Sequence, residues 1–298
     1  MSIKRALPVA LNVIGVLLLI LGFKGTSLAQ QPANNVLGHY DGIVGIAASY
    51  NIDDGYRVVL VATRNGDVRE IFYKATRSTM PVSKGESVIA HFDGIVGIAG
   101  FYNEDDKTRV AIVATKDGNV WEVFYSQKGK GQSIIAHFDG IVGVAGFYAR
   151  DDNYRIVLVA TQRDLHEVFY HPQKGRGESI IGHYDNDIVA IAGYFARSTN
   201  YRGAGVATME GYLYYLFYHP QKQLRTGFNR EGDLISLAYN VNSVFVATKD
   251  GRLRSLPPGG QRVDLANIGG IEHVAVDYWD SENLIYSTSD GNLHKFLF

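Results

Sequence analysis

The chain has no cysteine anywhere in its 298 residues. Disulfides, thiolate metal sites and thiol nucleophiles are therefore excluded, whatever the redox compartment. Charge of one sign is also lacking. The net charge at pH 7 is −1, so no global field draws in nucleic acid. No Gly-x-Ser-x-Gly elbow, His-Glu-x-x-His pair or phosphate-cradling glycine loop occurs, and those routes to catalysis drop out. Beyond residue 29 no segment keeps a helical period, which sets aside an α/β solenoid.

The one long apolar run is at the start. Lys4 and Arg5 give a basic opening, residues 7–23 form an apolar stretch of 17, and Ser27-Leu28-Ala29 places small residues three and one before a cleavage point. That combination reads as a secretory signal peptide over residues 1–29, with Gln30 as the mature start. The alternative is an uncleaved signal anchor, because 17 apolar residues sit at the short limit for crossing a bilayer. Only in that case does the chain meet a membrane. Removing the segment leaves 26 basic and 30 acidic residues.

What is abundant is Tyr (19), Phe (14) and Gly (33), against only seven Pro, a composition of strands and tight turns. Repeats organise it. HFDGIVGIAGFY at 91–102 returns as HFDGIVGVAGFY at 137–148, and residues 39–50 and 183–195 are close relatives. Each is followed by a second block, such as RVAIVATKDGNVWEVFY at 109–125. A threonine closes one strand in every repeat: Thr63, Thr115, Thr161, Thr208, Thr248 and Thr288. Spacings of 40 to 52 residues between them give six blade-sized units.

One unit reads as four strands, A to D, at 94–102, 109–115, 119–125 and 132–137. Asp117-Gly118 reads as a two-residue B–C hairpin, as do Asn65-Gly66, Asp250-Gly251 and Asp290-Gly291. Blade three is one residue shorter there, with Gln162-Arg163-Asp164 and no glycine. Runs such as VAIVAT, apolar on both faces, need cover on both sides, which stacked blades supply. The sixth repeat ends after its C strand. Val36-Leu37-Gly38-His39 matches Val88-Ile89-Ala90-His91, so the N-terminus supplies the missing D strand and closes the ring. The expectation is an all-β, six-bladed β-propeller over residues 30–298, monomeric.

Three sets of residues stand out. His39, His91, His137 and His183 each precede an Asp by two positions and read as braces of the D–A loop against the B–C turn. One His and one carboxylate per blade are too few to enclose a metal, so neither metal nor cofactor is expected. Glu70, Glu122 and Glu167 recur on an apolar strand C and need partners. Arg57, Arg109 and Arg155 recur at the start of strand B. A two-residue turn puts Glu70 opposite Val61, on the face of Arg57 but roughly 13 Å along the strand from it, so the expectation for these residues is an inter-blade salt bridge or solvent exposure. Acidic A–B loops (Asp53-Asp54, Glu104-Asp105-Asp106, Asp151-Asp152) share one face of the ring with basic C–D loops (Lys74, Lys128, Lys130, Lys174, Arg176), where the charges solvate and compensate.

His-x-Asp, an apolar strand and then Ala-Thr-x-Asp-Gly-x-Val resemble the WD-repeat family over most of residues 36–298. That resemblance implies a buried network of His91, Thr115 and Asp117 and a scaffold for partners. Phe124-Tyr125 stands where the family has Trp-Asp. The Arg that comes about a dozen residues before Glu, with Trp121 beside Glu122, resembles six-bladed fucose-binding lectins. It implies clefts between blades lined by Arg57, Glu70, Arg109, Trp121, Glu122, Arg155 and Glu167. The expected function is a non-catalytic, extracytoplasmic scaffold for a protein or glycan. The alternatives are a multivalent lectin and a propeller enzyme with an axial site.

Overall fold

The computed structural model describes residues 35–74, 84–126, 129–150, 152–171, 173–196, 200–219, 222–240, 243–257, 261–276 and 283–297. The expected export segment lies outside them, as do Lys128 and Asp151. Twenty-four strands and no helix make up the described residues, in six four-stranded antiparallel sheets. Strand β1 spans Val36–His39. Blade one comprises β2 (Ile43–Asn51), β3 (Tyr56–Thr63), β4 (Asp67–Lys74) and β5 (Lys84–His91). Blade two comprises β6 (Ile95–Asn103), β7 (Thr108–Thr115), β8 (Asn119–Ser126) and β9 (Gly129–His137). Blade three runs through β10 (Gly143–Ala149), β11 (Tyr154–Ala160), β12 (Asp164–His171) and β13 (Gly175–His183). Blade four runs through β14 (Ile188–Ala196), β15 (Tyr201–Thr208), β16 (Tyr212–His219) and β17 (Lys222–Arg230). Blade five holds β18 (Leu234–Tyr239), β19 (Val244–Thr248), β20 (Arg252–Leu256) and β21 (Val263–Asn267). Blade six holds β22 (Ile271–Val276), β23 (Asn283–Thr288) and β24 (Asn292–Leu297), and it is completed by β1.

The core lies between blades rather than at the centre. Leu60 and Val68 of blade one pack with Ile98, Ala111 and Val113 of blade two, and the other five interfaces repeat the arrangement. Every residue of Val58–Ala62 is buried, which is why the B strands read as apolar on both faces. The seam between blades six and one is built the same way. Leu37 and Tyr40 join Ile43, Ile46 and Ile71 with Ile285 and Leu293. The β1 register pairs Val36 with His294 and His39 with Asn292, and the Tyr40 amide donates to the Gly291 carbonyl at 2.8 Å.

The B–C turns differ from the two-residue expectation. Ala114 faces Val120, so Thr115 and Asn119 frame a three-residue turn of Lys116, Asp117 and Gly118. The Gly118 amide donates to the Thr115 carbonyl at 3.0 Å, and Gly118 is left-handed at φ 87°. A Cβ there would lie 2.7 Å from the Phe138 carbonyl oxygen, so only glycine fits. Blade three does close in two residues, the Thr161 amide donating to the Asp164 carbonyl at 3.0 Å. Its missing residue is therefore lost from the turn, and the strands keep the same facing pairs: Leu158 with Glu167, as Leu60 with Glu70.

Closure has a measurable consequence. A chain starting at Gln31 should melt like one starting at Gln30. A chain starting at Gly42 loses buried Leu37 and Tyr40, and its melting temperature should fall by about 10 °C. Equal melting curves would contradict the closure strand.

Candidate functional site

The third turn residue shifts the B–C register by one, and because side chains alternate, one residue reverses the face. Glu70 lies opposite Leu60, not Val61, while Arg57 lies opposite Tyr73. Arg57 and Glu70 thus point into different interfaces. Glu70 instead meets Arg109 of blade two at 3.1 Å, and the Tyr125 hydroxyl donates to it at 2.6 Å. Glu122 meets Arg155 at 2.6 Å and Tyr170 at 2.7 Å. Glu167 meets Arg202. The second nitrogen of each arginine returns to an A–B loop: Asp54 at 2.9 Å for Arg109, Asp106 for Arg155, and Asp152 at 2.6 Å for Arg202. All three glutamates are at most 4% exposed. Burial, then the neighbouring glutamate charge, pushes the Tyr125 and Tyr170 hydroxyls well above their ordinary range. Burial raises Glu167 despite Arg202. Arg57 faces the seam, where blade six carries buried Lys295 in the place of the glutamate.

The Phe-Tyr pair that replaces Trp-Asp has a clear division of labour. Tyr125 turns to the preceding blade and holds Glu70. Phe124 turns to the other face and lies over Gly131 of the facing strand, where a Cβ would come within 2.5 Å of its ring. Phe72 over Gly85 and Phe169 over Gly177 repeat this.

The histidines sit at the ends of D strands and join the turn of their own blade. His91 Nδ1 lies 3.1 Å from Asp67 rather than near Thr115 and Asp117. The set containing Thr115 and Asp117 is completed by Asn119 and His137. His183 pairs with Asp164 at 2.6 Å, and His39 reaches Asn292 at 3.1 Å, so the same motif spans the chain termini. The rings of His39, His91 and His137 are 58% exposed, in place of the buried network that the WD-like pattern implied. The Thr115 hydroxyl donates to Asp117 at 2.5 Å and holds its carboxyl below the usual range.

Of the seven residues suggested for a sugar cleft, six lie in or face the inter-blade ion-pair layer. Trp121 alone sits in an open position between blades, its ring 5.2 Å from that of Phe92. The corresponding place at the seam holds Arg69 and, beside it, Tyr40 and Glu86, two residues that the linear pattern did not single out. A cleft of about 490 Å³ there is lined by His39, Tyr40, Asp41, Asn65, Arg69 and Glu86, among others. The Tyr40 hydroxyl donates to Glu86 at 3.0 Å, Arg69 bonds Glu86 at 3.0 Å and Asp67 at 3.1 Å, and the guanidinium lies 5.9 Å from the Tyr40 ring centre. The only sign in the sequence was the Lys-Gly-Glu-Ser of β5, repeated with Gln132 and Glu178. The axial cavity, lined by Tyr50, Tyr102, Tyr148 and Tyr239, holds about 90 Å³, room for a few waters. Among the described residues no three His, Asp or Glu side chains gather as a metal site.

No protein-family profile and no curated protein matches the chain. Solved structures do. The SapL1 lectin in complex with alpha methyl fucoside superposes with a TM-score of 0.62 at 16% identity, over 84% of this chain and 90% of that one. AofleA from Arthrobotrys oligospora gives 0.66 at 9% identity, over 89% and 86%. A chain of a nidogen/laminin complex gives 0.55 at 14%, over 78% and 86%. These likenesses establish a shared fold.

Two outcomes test the layer and the turn. Glu122→Gln should cost about 3 kcal/mol, because it strands the buried Arg155. The double change Glu122→Leu with Arg155→Met should recover much of that in urea melts. Asp117 has a lowered folded pKa, so its charge stabilises above the ordinary value of about 3.9 and ceases to as pH falls through the folded value. The stability gap between wild type and Asp117→Asn should therefore be constant at neutral pH and close in acid. A gap that persists at pH 2 would refute the assignment.

Proposed function

We propose that this chain is a non-catalytic carbohydrate-binding propeller whose sites are the open clefts between blades. The carrying observation is the seam cleft. Tyr40, Arg69 and Glu86 put a ring, a planar donor and an acceptor pair around one opening, and about 490 Å³ suits a small ligand. Sugars need that combination: bidentate charged groups for adjacent hydroxyls and an apolar surface for the C–H face. A structural neighbour solved with alpha methyl fucoside supports the reading. So does the fold, which closes within one chain and favours a monomer with several clefts. Tyr40 stays protonated and donating, since burial and then the Glu86 charge raise its pKa. Export through the basic and apolar N-terminal segment belongs to the same proposal.

The buried Arg–Glu layer serves this function by joining blades one to four, not by touching the sugar. The WD-like turn network ties strand D to the turn of its own blade at the cleft rim. A protein partner on the same face is the second reading, favoured by the half-exposed histidines and by apolar Val88 and Ile180 on the outer strands.

A glycan array followed by calorimetry decides. Arg69→Ala and Glu86→Gln should each weaken binding at the seam by at least about 10-fold, the loss of one charge-assisted bond, with melting almost unchanged. Glu122→Gln should do the reverse. No binding to any glycan by the wild type would remove the proposal.

A further inference from the structure

The first three repeats are nearly identical along strands A and B, yet one strand-C position changes from each blade to the next. Arg69, Trp121, His166, Tyr214, Arg254 and His294 occupy it. Their register proves the equivalence. Arg69 faces Val88, Trp121 faces Ile134, His166 faces Ile180 and His294 faces Val36. All six residues carry a flat group, a guanidinium or a ring.

Two further features mark the position. In blades one, two, three, five and six the ladder slips beside it, as a bulge does where a side chain is re-aimed. The residue across the cleft, from the preceding D–A loop, packs on it: Phe92 on Trp121 at 5.2 Å, Phe138 on His166 at 4.6 Å and Tyr184 on Tyr214 at 5.0 Å between ring centres. In the first four blades, therefore, an aromatic ring from that loop packs on a strand-C residue, the floor of the cleft, that differs from blade to blade.

The floors differ in chemistry. In the first cleft Arg69 lies between Asp67 and Glu86, two carboxylates against one guanidinium, a polar surface unsuited to an anionic sugar. In the second, Phe92, Trp121 and Gln132 carry no charge. In the third, His166 lies 3.8 Å from Glu178. The fifth is closed by its own ion pairs, Arg254 with Asp264 at 3.0 Å and with Glu231 at 3.8 Å.

We propose that this strand-C residue is the specificity determinant of each cleft, so the ring is an array of unlike sites. The inference rests on the carbohydrate reading. The first cleft grips adjacent hydroxyls of a neutral sugar through Arg69 and Glu86. The second stacks the apolar face of a neutral pyranose on Trp121.

The test uses methyl α- and β-glycosides of the neutral hexoses and 6-deoxyhexoses. They are titrated into residues 30–298 and into a Trp279→Phe variant in which Trp121 is the sole tryptophan, excited selectively at its red edge. Two classes of glycoside are expected. One loses at least tenfold in affinity on Arg69→Ala and leaves Trp121 emission unchanged. The other shifts Trp121 emission and ignores Arg69→Ala. Transplanting the first floor into the second cleft, by Phe92→Tyr, Trp121→Arg and Gln132→Glu, should raise the stoichiometry for the first class by one. Should that triple variant not fold, Trp121→His alone should weaken the second class at least tenfold with little change in melting. A folded transplant with unchanged stoichiometry, or one glycoside bound alike by both clefts, overturns the inference and leaves the carbohydrate reading standing. A wild type that binds none of the glycosides overturns both.

Discussion

Side chains along a strand alternate between two faces, and in this ring both faces belong to neighbouring blades. The B and C strands, unlike the outer D strands, have no solvent side on which an unpartnered charge can rest. A glutamate in the middle of strand C must therefore find its partner in the next blade. Arg109, Arg155 and Arg202 supply it, each tied back to an acidic A–B loop. The tyrosine beside each arginine completes the set. This layer costs desolvation, which the paired contacts of each arginine with a glutamate and an aspartate offset. It ties blades one to four together, while at the seam blade six carries Lys295 in the glutamate's place.

The architecture was largely legible in the sequence. Six threonines counted the blades, and VLGH at 36–39 announced the closing strand, because both are consequences of local repetition. What was not legible turned on single residues. A B–C turn of two residues and one of three with a glycine bulge share the Asp-Gly signature, and they differ by one step of register. That step moved Glu70 from the face of Arg57 to the opposite interface. The histidines misled for a related reason. His91 is followed directly by strand A of blade two, and sequence adjacency suggested the turn of that blade. The chain in fact leaves strand D of blade one there, so Asp67 of that blade is the neighbour.

The seam cleft was hidden for a different reason. Tyr40, Arg69 and Glu86 come from the closing segment, strand C and strand D, and lie 17 to 46 residues apart. Only ring geometry brings them together. Trp121 was singled out because its ring offers a stacking face, and Arg69 at the equivalent place was passed over because it offers none. The fold thus separates two uses of the same residue types. Arg and Glu pointing into the interface hold blades together. Arg69 and Glu86, on the opposite face of blade one from Glu70, line the opening at the seam.

That separation is the central claim, and a crystal structure of the mature chain soaked with a methyl glycoside from the array tests it most directly. The account predicts sugar density against Tyr40, Arg69 and Glu86, with Glu70 and Arg109 still paired at the distance seen here, 3.1 Å. Sugar density inserted between Arg109 and Glu70, with that pair broken, would contradict it.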